Sequence, residues 1–172
     1  MMGGHNPVLD DLARIRHELA ALSKLSVHVG VLGDAGGDLL TIAAVHEYGC
    51  TINVTPKMRA FLHHIGLHLR KETGAINIPE RSFIRASYDA GQQEIERMVE
   101  NAIGKVMRGQ KTAAQAMEEV GMLAAQMTQQ FINDGLVTPP KGSFTQERSS
   151  QFTPLVESGR LVGSITFEVR SG

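Results

Sequence analysis

Between Ser82 and Gly135 the chain carries two long helical patterns back to back, interrupted only at "RGQK". In the first, Ile84, Tyr88, Ile95, Met98, Ala102, Ile103 and Val106 keep to one face. In the second, Thr112 and Gln115 have capping-box spacing, and Met117, Val120, Ala124, Met127 and Phe131 lead to a stop at Gly135. Two consecutive amphipathic helices cannot bury both stripes on each other, so a further layer is required. The rest of the sequence must supply it.

Two alternating stretches are suited to that layer. "SVHVGVLG" places Val27, Val29 and Val31 on one side, and "SITFEVR" sets Ile165, Phe167 and Val169 against Ser164, Thr166 and Glu168. The natural arrangement pairs them antiparallel, early strand with last. "TINVT" and "AINIP" are two further short strand candidates, and "PKMRAFLHHIGLHLRKE" between them reads as helix, with Gly66 as its weak point. At the start, Asn6 and Pro7 have the order of an N-cap and first helical residue. Leu12, Ile15, Leu19 and Leu22 then form an apolar stripe opposite Arg14, His17 and Lys24. "LLTIAAVHEYG" reads as a short helix closed by Gly49. The fold class expected is α+β: one domain over residues 1–172, a small mostly antiparallel sheet packed against the long amphipathic helices from residue 82 onward. From Leu136 to Thr153 the chain becomes a polar stretch of Pro, Ser, Thr, Gly and charge without period, expected as a long loop or arm.

With 172 residues, 42% hydrophobic and 20% charged, the chain can form an ordinary water-soluble core. A net charge of -1 provides no global field for nucleic acid or an anionic membrane. No apolar run approaches a bilayer span, and "MMGGHNPVLDD" has neither the basic nor the apolar region of a secretory signal, so synthesis and residence in a cytosol are expected. Cys50, the single cysteine, fits a reducing compartment.

"AAVHEYGCTINVTP" gathers His46, Glu47, Tyr48 and Cys50 within five positions and looks reactive. A zinc-peptidase helix needs a second histidine one turn after the first, and none follows. A thiol nucleophile would need His46 to reach Cys50, which the helix stop at Gly49 prevents; a small apolar residue entering a strand is the better reading. His64 and His68 share a face at i and i+4 if the helix runs on, and with Glu47 they define an alternative, a metal-dependent hydrolase. A second alternative, a DNA-contacting assembly factor, needs a basic patch from Arg81, Arg85, Arg97 and Lys105. No catalytic constellation, metal or cofactor is expected.

Three ordered segments carry a resemblance. "AAVHEYGCTINV" resembles a short helix delivering a His-Glu-aromatic-Gly turn; "INIPERSFIRASYD" resembles an "IPxRxFxR" entry into a long helix; "TPLVESGRLVGSITFEV" resembles a "PLxxTGxLxxSI" entry into a final strand. In this order, over roughly residues 26–170, they are similar to the virion morphogenesis, neck and tail-completion (head-tail joining) proteins of tailed bacteriophages and prophages. Ser82 stands where relatives commonly have proline, Ser158 replaces a threonine, and the stretch from Pro56 to Thr73 is longer than in short members.

The resemblance implies a structural virion protein, made in the host bacterial cytoplasm. Its expected partners are other copies in a ring, often of six, and the connector, tail-terminator or tail-tube proteins, with non-specific contact to passing DNA and no membrane. His46, Glu47, Tyr48 and Gly49 then form a structural corner. Pro79 ends a strand, Phe83 inserts beneath the sheet, and Arg81 ties the helix start to Glu47 or a neighbouring subunit. Ser158 caps a turn and Gly159 permits a close backbone approach. Pro139, Pro140, Phe144, Arg148 and Phe152 mark an arm that reaches a neighbour and orders on assembly.

Overall fold

The computed structural model describes residues 7–140, 155 and 159–172. The architecture is α+β. Helix α1 spans Pro7–Leu22, strand β1 Leu25–Val31, helix α2 Gly37–Tyr48, strand β2 Cys50–Asn53, helix α3 Pro56–His64 and strand β3 Ala75–Ile78. The two long helices are α4, Ile84–Met107, and α5, Ala113–Asn133. A single turn, α6, at Arg160–Gly163 leads into β4, Ile165–Ser171.

As the alternation requires, β1 and β4 pair antiparallel, with Val27 opposite Val169, Val29 opposite Phe167 and Val31 opposite Ile165. The face they share packs chiefly on α5, while α4 packs on α5. The strands β2 and β3 do not extend this sheet. They form a separate antiparallel ribbon, Cys50 opposite Ile78 and Asn53 opposite Ala75. The main core joins Ala43, Phe83, Ala125, Ile132, Val137, Leu161 and Ile165, and a second cluster of Ala102, Val106, Ala116 and Val120 closes the far end of the α4–α5 hairpin.

Two helices differ from expectation. The helix starting at Pro56 stops at His64, because Gly66 takes φ 81° and the amides of Gly66 and Leu67 turn back onto the carbonyls of His63 and Leu62. The chain then returns as a loop whose carbonyls at Arg70 and Thr73 accept from the Arg59 guanidinium at 2.9 and 2.5 Å. In α1 the apolar stripe is only partly used: Leu12 and Leu19 are exposed, and Leu22 reaches the second cluster. Polar ties do much of the docking. Arg14, expected on the solvent face, donates to the carbonyls of Val106 and Met107 at 3.1 Å each, and Glu18 accepts from the Ala113 amide at 2.6 Å. A cation thus meets the C-terminus of α4 and an anion the N-terminus of α5, the signs that both helix dipoles favour. No helix among the described residues is long and apolar enough to cross a membrane.

Candidate functional site

The last turn of α2 delivers Glu47 into the space before α4. Phe83, at the N-cap position of α4, offers no side-chain cap of its own, so the first amides of that helix need an acceptor from elsewhere. Glu47 is that acceptor. One carboxylate oxygen takes the amides of Phe83 and Ile84 at 2.8 and 3.0 Å; the other takes the Arg85 amide at 3.1 Å, the Ser82 hydroxyl at 2.8 Å and Arg85 Nε at 3.0 Å. The residue is 4% exposed. Burial pushes the carboxyl pKa up, but the amides of Ile84, Phe83 and Arg85 and the Ser82 hydroxyl outweigh it and hold it below the ordinary value of 4.5.

Arg85 completes the corner. Its Nη2 donates to the Glu47 carbonyl at 2.6 Å and to Glu80 at 2.8 Å, and its guanidinium lies 5.0 Å from the centre of the exposed Tyr48 ring. This corrects the expected partner of Glu47. Arg81 instead gives its amide to the His46 carbonyl at 2.7 Å and its guanidinium to the carbonyls of Pro139 and Pro140 at 2.9 and 3.2 Å. His46 Nδ1 is buried without a hydrogen-bond partner among the described residues, and burial, then the Arg81 charge, lowers its pKa. Gly49 has φ 68°, and a Cβ there would lie 2.8 Å from the Glu80 amide and 2.9 Å from the Ile78 carbonyl. Pro79 follows the last residue of β3, and Phe83 is fully buried, in contact with the core.

The third segment reaches the same place through α6. Leu161 and Ile165 share the buried cluster with Ala43 and Phe83. Gly159 is left-handed at φ 66°, but a Cβ would meet nothing within 4 Å, so its backbone angle calls for glycine and no close approach does. The expected arm also begins later than Leu136: Val137 is buried in the core and Pro139 and Pro140 are held by Arg81. Ser158, Phe144, Arg148 and Phe152 lie outside the described residues.

No protein-family model, curated protein or solved structure matches the chain. A carboxylate whose two oxygens accept five hydrogen bonds has no lone pair directed at a substrate. Among the described residues no three His, Cys, Asp or Glu side chains group as metal ligands, so His64, His68 and Glu47 do not form the set that a metal-dependent hydrolase would use. With α3 ending at His64, the imidazoles that meet are His63 and His68, edge to face at 4.5 Å. Cys50 opens β2 beyond the Gly49 corner and is half-buried. Three of the basic quartet are engaged within the chain: Arg81 is bound to carbonyls, Arg85 to Glu47 and Glu80, and Lys105 to Glu119 at 2.6 Å.

Proposed function

We propose that the chain is a non-enzymatic structural subunit of a tailed bacteriophage or prophage particle, assembling as a ring at the neck or the tail end. The observation that carries this reading is the meeting of the three resembling segments in one place. Ala43 of the first, Phe83 of the second and Leu161 and Ile165 of the third share one buried cluster, and Glu47 of the first caps the helix that the second begins. Residues that look catalytic in the sequence thus serve as internal ties, which suits a scaffold whose outer surfaces do the work. The ordered motifs rather than any single residue support the virion assignment.

The test is deletion of the gene from the phage or prophage genome that encodes it, with electron microscopy of the lysate. Heads and tails that remain unjoined, or tails with incomplete ends, are expected, with recovery when the chain is supplied in trans. Normal infectious particles lacking the chain by mass spectrometry would overturn the reading.

A further inference from the structure

The sheet of β1 and β4 has only two strands among the described residues, and α5 packs on both of them while α4 packs on α5. Between β1 and α4 this leaves an open groove of about 480 Å³, walled by Val27, Val29, Ile95, Val99, Val120 and Met127. Its helical border carries Asp89, and Gln92, Glu96 and Glu100 continue that row along α4 at helical spacing, all exposed. The three acids form no ion pair among the described residues. The outer edge of β1 offers backbone groups that no strand pairs among the described residues.

The same chain holds a complementary feature. The unit β2–α3–β3 finds most of its neighbours within itself, and a two-stranded ribbon of this kind is marginal in water without something to pack on. Ile52, Phe61 and Ile65 are exposed on it, Phe61 at 60%. From Cys50 to Ile78 its basic residues are Lys57, Arg59, Arg70 and Lys71, against Glu72 as the one acid.

We propose that the groove between β1 and α4 receives the projecting β2–α3–β3 unit of a second copy of this chain. The apolar side chains of the unit enter the groove, and Lys57, Arg70 and Lys71 face the Asp89–Glu100 row, Arg59 being held by the carbonyls of its own loop. Because the two patches differ, the contact is heterologous and can propagate from copy to copy until a ring closes. The inference rests on the ring-forming reading above and names the surfaces that such a ring would use.

The test uses the full chain in a Cys50→Ser background, with Ala60→Cys and Gln92→Cys prepared as separate proteins. A short thiol cross-linker is expected to give covalent dimers when the two are mixed and none with either alone, less so at high salt. In parallel, Asp89→Lys with Glu96→Lys is expected to weaken self-association about tenfold by sedimentation, with recovery when Lys57→Glu and Lys71→Glu are added. Circular dichroism confirms that each variant folds. Association that ignores charge reversal, or cross-links each cysteine variant to itself, overturns this interface and leaves the ring reading standing. A chain that stays monomeric at every concentration overturns docking between copies, while the gene-deletion phenotype separately decides the virion role.

Discussion

At Glu47, truncating the side chain removes the acceptor of three backbone amides and a guanidinium at once. Glu47→Ala is expected to cost about 2–4 kcal/mol in denaturant unfolding, with Glu47→Gln less damaging because one oxygen remains. The carboxyl pKa is lowered in the folded state, so its contribution is present above the unfolded value of 4.5 and is lost as pH falls through the folded one. The lowered pKa of His46 acts in the same direction: stability is complete above the ordinary 6.5 and declines as acid protonates the unfolded chain first. Wild-type stability should therefore fall in two stages on acidification. The lower stage should vanish in Glu47→Gln, as urea titrations over pH would show. Gly49→Ala combines a left-handed backbone with a Cβ less than 3 Å from two backbone atoms of the β3–α4 link, and more than about 1 kcal/mol of destabilisation is expected. That Gly49 forms a corner was legible from the sequence. The partner of Glu47 was not, because side chains on a helix lean toward its N-terminus: Arg85, the second residue of α4, reaches back over the amides, while Arg81 precedes the helix.

Helices are where sequence pattern served best and where its limits show. The bounds of α4 and α5 follow the apolar stripes, and Thr112 with Gln115 forms the reciprocal capping box that their spacing announced. In α3, five good helix residues after His64 did not extend the helix, because the Gly66 turn and the Arg59 bonds to returning carbonyls satisfy the backbone another way. The spacing between Arg59 and its acceptors carries no local signal. Gly121 was missed for the same reason. It lies in α5 where a methyl group would run into the Phe167 ring of β4, a contact 46 residues distant in the chain. Gly121→Ala is expected to destabilise by about 1–3 kcal/mol despite the better helix propensity of alanine. Adding Phe167→Leu should restore part of the loss, so the two changes combine less than additively in thermal unfolding; strict additivity would show that ring contact is not the cause.

For the molecule as a whole, the question is whether the ribbon unit belongs to the folding core or to the assembly surface. Its strands pair with each other, its helix is nine residues long and none of those residues is buried, whereas α5 alone carries eight buried ones. Local opening follows that difference, so amides of β2 and β3 should exchange at lower free energy than those of α5 in native-state hydrogen exchange. The stronger test is excision. Asn53 faces Ala75 across the ribbon and Val54 donates its amide to the Gly74 carbonyl at 2.9 Å, so an Asn-Gly pair in place of residues 55–73 can close it as a two-residue hairpin. The shortened chain is expected to unfold cooperatively within a few degrees of wild type, because Glu47, Gly49 and Phe83 keep their contacts at the base of the ribbon. It should also lose self-association, because Phe61, Ile65 and the basic residues leave together. Retained association would place the contact between copies elsewhere, and a broad, non-cooperative transition would show that the excised unit stabilises the core it projects from.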